Sequence, residues 1–250
     1  MNGLLFPFML ANLSLAFRQS AMNGKVITIL LVFISVGAWT VMLTKFSQLR
    51  TARLASNRFL KTFRGEKHST SLFVKRLLAP DTPLSEMYEA GCQSLRSELK
   101  ADGVEKPEEL FAGQADKTET RRLDSTQMDA IRSAVDCAMA DKALELENHM
   151  GLLATAVSVG PFLGLLGTVW GVMGTFSGMA TAGSATLSAV APGISGALVT
   201  TVIGLLVALP SSIGYNLLTT RIRCLSVQMD NFAQEFTGRI QQEFMLNSSK

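Results

Sequence analysis

The chain has 250 residues, of which 48% are apolar and 17% charged, and its formal net charge is +3 at pH 7. Its three cysteines form no C-x-x-C pair and it has only two histidines, so neither a disulfide framework nor a zinc site is indicated. No phosphate loop, nucleophile elbow or paired-carboxylate site stands in a supporting context, so the sequence predicts no enzyme, no cofactor and no metal. The basic excess lies next to apolar stretches, which makes nucleic-acid binding a poor explanation of it.

The amino-terminal part carries the first predicted membrane span. Segment 1–25 begins with an apolar stretch that is too short to cross a membrane and is interrupted by Pro7, so we interpret it as a periplasmic, interfacial amphipathic segment. Residues 26–44 have about the length of one crossing. Lys25 and Lys45 bracket this span, and their long side chains can reach the two membrane interfaces.

Residues 45–149 are predicted to form a cytoplasmic helical region. Glycine and proline interrupt its middle, whereas residues 114–150 contain neither and are predicted to be helical. Nothing in the sequence marks a break between this helix and the next span. The interpretation is therefore one long helical rod that projects from the membrane.

Residues 148–220 contain no Asp, Glu, Lys or Arg. This block has room for two membrane crossings, which we predict at 150–180 and 193–219, and small hydroxylated residues indicate a periplasmic turn at 181–192. A helical apolar repeat then predicts that segment 220–250 continues the third span as a cytoplasmic helix and tail. The repeat consists of Leu225, Met229, Phe232, Phe236 and Ile240.

These elements predict an all-α integral membrane protein with three transmembrane helices, two of them extended into a cytoplasmic helical bundle. Basic residues follow the first and third spans and are absent from the turn, so the amino terminus is predicted to be periplasmic and the carboxyl terminus cytoplasmic. The basic stretch 50–64 is most simply this topology signal. Contact with anionic lipid is the lesser interpretation.

Small residues recur at helical spacing in the second and third spans. Such stripes let helix backbones approach closely, so we expect them to pack helices, either within an oligomer or around other membrane helices. The predicted packing residues are Gly160, Gly164, Gly167, Gly171, Gly193, Gly204 and Ala208.

None of the three spans contains an ionisable residue that could carry a proton. Threonine and serine hydroxyls exchange hydrogen bonds but do not titrate near neutral pH, and most of them bond to their own helical turn. If the assembly moves protons, another polypeptide must supply the carboxylate.

Residues 164–174 and 189–210 resemble the second and third spans of the TolQ/ExbB/MotA family of proton-channel stator subunits. The three-span layout is similar to that of the TolQ and ExbB members rather than the four-span members. Residues 147–149 and 230–237 are most similar to the TolQ branch.

The resemblance implies a homopentameric ring in the bacterial inner membrane, around two single-span helices of a TolR/ExbD-like partner that each bring one Asp. The family's pore threonines match Thr168 and Thr201, and Ser195, Gly196, Thr200 and Thr175 are secondary candidates for the pore or its proton access route. The family commonly has Glu where this chain has Gly196. Either no carboxylate is needed there, or Ser195 and water replace it, or the chain couples differently.

The implied function is that of a stator subunit in a motor driven by the proton motive force, acting through a TolA/TonB-like protein on envelope integrity and division. An ExbB-like energiser of TonB-dependent import, or a non-conducting scaffold for a single-span partner, remain alternatives. A substrate transporter is less favoured, because the spans offer no polar midplane pocket.

Overall fold

The computed structural model describes residues 22–75, 82–104, 107–111, 123–182 and 186–246. These residues form helices without any strand, which confirms the predicted all-α class. The helices are α1 (Met22–Gly65), α2 (Ser71–Val74), α3 (Pro83–Ala101), α4 (Pro107–Phe111), α5 (Ser125–Glu147), α6 (Met150–Ala182) and α7 (Leu187–Gln241), and a π-helical turn follows at Gln242–Leu246.

Three helical stretches are long and apolar enough to cross a membrane, namely Met22–Gly65, Ser125–Thr181 and Val190–Phe244. They contain the three predicted spans. The turn between the last two is shorter than predicted, because α6 ends at Ala182 and α7 already begins at Leu187. Pro192 lies inside α7, where it has no N–H to donate to the Ser188 carbonyl. Most of the predicted amino-terminal segment lies outside the described residues.

The expectation that the helix predicted at 114–150 continues into the second span as one long rod is wrong. Helix α5 begins only after Asp124, whose carboxylate accepts a hydrogen bond from the Ser125 backbone N–H at 2.8 Å. It ends at Asn148, whose ψ of 140° is not helical, and His149 has a φ of 66° in the left-handed region. These two backbone conformations interrupt the helical hydrogen-bond ladder before α6 begins. Residues 114–122 lie outside the described part of the chain.

The described helices group into two compact units. The span unit comprises the described residues up to Lys45 and from His149 to Leu218, and the charged unit comprises 46–148 and 219–250 where described. The core of the span unit joins α1 to α7 through Ile27, Leu31 and Val207, with Leu163 of α6 packed beside them. These side chains form a packed contact that all three span helices share.

The charged unit is built around five aromatic rings. Neighbouring ring centroids lie between 5.2 and 6.4 Å apart, mostly in edge-to-face arrangements, and each side chain is at most 2% exposed. The rings belong to α1, α3 and α7, so the cluster joins segments far apart in sequence. They are Phe59, Phe63, Tyr88, Phe232 and Phe236. The predicted stripe from Leu225 to Ile240 is buried at every member, as expected for a helix face that packs on this core.

Helix α3 lies close to this core because Gly91 has no side chain. A Cβ at Gly91 would overlap the Phe236 ring and stand 2.7 Å from the Val135 Cγ2 atom. Both neighbours are themselves fully buried. Glycine at this position therefore sets the distance of α3 from α5 and α7.

Replacing Gly91 by alanine is expected to destabilise the charged unit by about 1 to 3 kcal/mol, because the packed core has no room for the added methyl. The gain in helix propensity, about 1 kcal/mol, offsets only part of this cost. Thermal unfolding of the purified chain in detergent measures the effect. Gly238→Ala is the matched control, since no atom lies within 4 Å of the position that its Cβ would take. A melting temperature unchanged in Gly91→Ala would contradict the proposed tight contact.

An ion-pair network joins α1 to α7 in the charged unit. Arg64 Nη2 donates to the Glu235 carboxylate at 2.7 Å, and Arg239 Nη2 donates to the same group at 3.3 Å. The Arg239 guanidinium also lies 4.7 Å from the centroid of the Phe63 ring. Hydrogen bonding from Arg64 holds the pKa of Glu235 below its ordinary value, although partial burial opposes the shift.

Because the folded state lowers the pKa of Glu235, this carboxylate stabilises the fold above its unfolded pKa and loses that contribution as pH falls through the folded pKa. Arg64 is largely exposed, so the pair contributes less than about 1 kcal/mol. Arg64→Gln should therefore lower the melting temperature slightly at pH 7, and the difference from wild type should shrink as the pH falls through the lowered pKa of Glu235 and vanish once that carboxylate is protonated in the folded state. Melting curves between pH 3 and 8 check this, and a difference that persists at the acid end would contradict it.

Candidate functional site at the crossing of the uncharged helices

Helices α6 and α7 meet backbone to backbone at three glycines. A Cβ on Gly160 would lie 3.2 Å from the Gly204 carbonyl oxygen, and one on Gly204 would lie 2.6 Å from the Gly160 carbonyl oxygen. A Cβ on Gly164 would lie 3.0 Å from the Cα of Thr201, and Ala208 packs beside Gly160. Only residues without side chains permit this approach, which we call the glycine crossing (Gly160, Gly164 and Gly204).

Beyond the crossing, small residues of one helix face side chains of the other. Gly167 lies against the Thr200 side chain and Gly171 against Ala197. Gly193 of α7 lies against the Thr175 side chain of α6. A methyl group at any of these three glycines would overlap its neighbour, so the sequence stripe corresponds to a continuous helix contact.

Two threonine hydroxyls converge on a single carbonyl at the crossing. Thr201 Oγ1 donates to the Gly164 carbonyl oxygen at 2.9 Å, and Thr200 Oγ1 lies 3.3 Å from the same oxygen. Thr200 is fully buried, and its single hydroxyl hydrogen is directed to the closer Ala197 carbonyl at 2.7 Å. Thr201 is half-buried. Because Gly164 lacks a side chain, its carbonyl oxygen is open to donors from the neighbouring helix.

The other predicted hydroxyls bond within their own helix. Thr168 Oγ1 donates to the Leu165 carbonyl at 2.7 Å, and Thr175 Oγ1 donates to the Gly171 carbonyl at 2.8 Å. Thr168 lies one turn after Gly164, so the two predicted pore threonines occupy adjacent turns of the crossing. Both Thr168 and Thr201 remain partly accessible.

Gly196, which stands where the resembled family commonly has Glu, and its neighbour Ser195 differ in exposure. Ser195 is exposed, whereas Gly196 is buried and directly precedes Ala197, which contacts Gly171 of α6. A larger side chain at position 196 would therefore have to find room within the packed part of the helix. Ser195 retains a hydroxyl that can meet water or another chain.

The arrangement supplies hydrogen bonds but no titratable carboxylate or amine, since residues 148–220 include no Asp, Glu, Lys or Arg. The family motif pairs Thr168 with Thr201, whereas the structure brings the Thr200 and Thr201 hydroxyls to the same Gly164 carbonyl. The consecutive threonines of the third span and the glycine stripe of the second were visible in the sequence. Their contact could be predicted only with the register of α6 against α7. The site can position a proton-carrying group of another molecule without carrying the charge itself.

The chain is similar to known membrane proteins. The sequence model of the MotA/TolQ/ExbB proton channel family matches residues 84–231. The chain is 30% identical to the Tol-Pal system protein TolQ of Haemophilus influenzae over 230 residues, covering 88% of this chain and 90% of that protein. It is 30% identical to TolQ of Pseudomonas aeruginosa over 214 residues, covering 85% of each chain. It is 27% identical to the biopolymer transport protein ExbB of Neisseria meningitidis over 229 residues, covering 92% of this chain and 97% of that protein.

Gly204→Ala is expected to separate α6 from α7, because the added methyl would meet the backbone of Gly160 and Gly164 rather than a movable side chain. The expected cost is about 1 to 3 kcal/mol, seen as a lower melting temperature in detergent. Gly174→Ala on α6 is the control, because no atom lies within 4 Å of the Cβ position there. Equal melting temperatures for the two variants would argue against the glycine crossing.

Proposed function

Because the chain belongs to the MotA/TolQ/ExbB proton channel family, we propose that it is the ring-forming, TolQ-like subunit of an inner-membrane motor driven by the proton motive force. The ring surrounds a TolR-like dimer and couples proton flow to work on the cell envelope, including its integrity and its constriction at division. The observation that carries this proposal is the convergence of Thr200 and Thr201 on the Gly164 carbonyl within an uncharged helix pair.

The proton-carrying group comes from the partner. Residues 148–220 have no Asp, Glu, Lys or Arg, and hydroxyl groups do not titrate near neutral pH. A single-span TolR/ExbD-like helix that brings one Asp beside the threonines supplies the missing carboxylate. Removal from water raises the pKa of such a carboxylate and allows it to bind a proton near neutral pH.

The hydroxyl geometry favours the protonated form of that partner group. Thr201 directs its hydrogen to the Gly164 carbonyl, and Thr168 directs its hydrogen to the Leu165 carbonyl. The oxygen lone pairs of both hydroxyls then remain to accept a hydrogen bond from a carboxylic acid. Accepting from the neutral acid raises its pKa further, and solvent access beside the half-buried Thr201 lets the proton leave.

Proton access from the periplasmic side proceeds without a carboxylate of this chain. Gly196 stands where the family commonly has Glu, and Ser195 on the exposed side of α7 contacts water in its place. The glycine also extends the small-residue stripe, so its presence supports helix packing while removing a charge from the route.

The functional assembly is a homopentamer in the lipid bilayer of the inner membrane, with the amino terminus periplasmic and the carboxyl terminus cytoplasmic. The work passes from the TolR-like partner to a TolA-like protein. An ExbB-like role in TonB-dependent import is the second candidate, because the matched ExbB relative covers 92% of this chain. Over most of the chain, the identity is 30% to the two TolQ relatives against 27% to this ExbB, which favours the first role. A non-conducting scaffold would share the glycine crossing and is favoured only by Gly196.

Proton uptake into liposomes that carry this chain with and without its TolR-like partner tests the proposal. Flux is expected only with the partner, and Thr201→Val should lower it about five- to tenfold, because a net hydrogen bond contributes about 1 kcal/mol. Thr155→Val is the control, since the Thr155 hydroxyl bonds within its own helix, to the Gly151 carbonyl at 2.8 Å, and lies outside the crossing.

Equal flux in Thr201→Val and wild type would remove the threonine from the pathway. Absence of flux in every combination, with the partner shown to be bound, would favour the scaffold. Complementation of strains that lack TolQ or ExbB then separates the two motor roles.

A further inference from the structure

A basic pocket lies on the charged unit, between the part of α1 that follows Lys45 and the part of α7 that follows Thr220. Its volume is about 590 Å³. Three arginines line it, namely Arg50 and Arg53 of α1 and Arg221 of α7, and none of its lining residues is acidic. A cluster of this kind needs an anion for neutralisation.

The protein itself does not supply that anion. Among the described residues, Arg50 and Arg53 form no ion pair with a carboxylate, and both are exposed. The Arg221 guanidinium stacks 4.2 Å from the centroid of the Phe46 ring, which fixes its direction without neutralising it. Planar guanidinium groups in such a cluster match the paired oxygens of a phosphate.

The apolar part of the lining distinguishes a lipid from a small anion. Leu49 and Leu225 form buried walls, and the rings and side chains of Phe46 and Leu54 remain exposed at the pocket. Inorganic phosphate gains nothing from these surfaces, whereas the glycerol and upper acyl chain of a phospholipid can cover them. The lining therefore has the amphipathic character of a lipid headgroup site.

The position along the chain agrees with this chemistry. Phe46 comes directly after Lys45 at the end of the first span, and Arg221 is the first charged residue after the uncharged block. With a helical rise of 1.5 Å per residue, Arg50 and Arg53 lie only about 8 and 12 Å along α1 from Lys45. That distance corresponds to the headgroup layer next to the hydrocarbon core.

We propose that this pocket binds the phosphate of an anionic phospholipid from the adjoining leaflet, such as phosphatidylglycerol. Arg50, Arg53 and Arg221 hold the phosphate, and Phe46 orients Arg221 toward it. A zwitterionic lipid binds less well, because no acidic lining residue pairs with its ammonium group. This site is independent of proton conduction and goes beyond the proposed motor function.

Native mass spectrometry of the full chain released from detergent tests the site, with phosphatidylglycerol, phosphatidylethanolamine or inorganic phosphate added. Wild type is expected to retain phosphatidylglycerol preferentially. The triple variant Arg50→Gln/Arg53→Gln/Arg221→Gln should lose it, with about a fivefold weakening for each arginine removed. The single variant Arg53→Gln should weaken phosphatidylglycerol binding about fivefold. It keeps the test valid if the triple variant is poorly folded.

The control variant Arg58→Gln/Lys61→Gln/Arg223→Gln removes the same charge from exposed residues of the same two helices outside the pocket. It should retain the lipid as wild type does. Equal loss in this control would overturn the proposal in favour of general charge attraction. Displacement of the lipid by millimolar phosphate, or equal retention of phosphatidylethanolamine, would also overturn it. If the triple variant retained the lipid but formed smaller oligomers, the proposal would be overturned. The arginines would then belong to an interface between copies of the chain.

Discussion

The backbone contact between Gly160, Gly164 and Gly204 is the constraint on which the span unit depends. Lipid tails are as apolar as leucine, so the hydrophobic effect cannot hold α6 against α7 inside a bilayer. Close approach of the two backbones supplies the missing attraction through dispersion and polar contacts. The same approach exposes the Gly164 carbonyl to Thr200 and Thr201, so packing and the candidate proton site share one feature.

The charged unit depends on a different force. Its five aromatic rings are excluded from water, and water surrounds the exposed charged faces of the same helices, so ordinary hydrophobic burial suffices there. Helices α1 and α7 contribute residues to both units without interruption. Helix α7 can serve both environments because its exposed face changes from apolar to charged, while the face that packs on α6 is made of small residues and the face that packs in the charged unit carries aromatic ones.

Properties of individual residues were sufficient to predict the three spans and the buried stripe of α7, because charge, hydropathy and helical period act locally. The break at Asn148 and His149 could not be predicted in the same way. Neither residue is glycine or proline, and the left-handed conformation of His149 depends on how the chain turns into α6. The convergence on the Gly164 carbonyl also could not be predicted from the sequence, since it joins Thr200 to a residue 36 positions earlier and depends on the register of α6 against α7.

An uncharged ring places a physical limit on how the proposed motor can work. With Gly196 in place of a carboxylate, no group of the spans can form or break a salt bridge as protons pass. The interaction energy between ring and partner then changes only when the partner's Asp changes its own charge. A neutral acid can rest on the Thr168 and Thr201 oxygens, whereas a carboxylate there faces lone pairs and is repelled toward water. In the proposed motor, alternation between those two positions, driven by the proton gradient and repeated at successive subunits, would bias rotation without any charge on the ring itself.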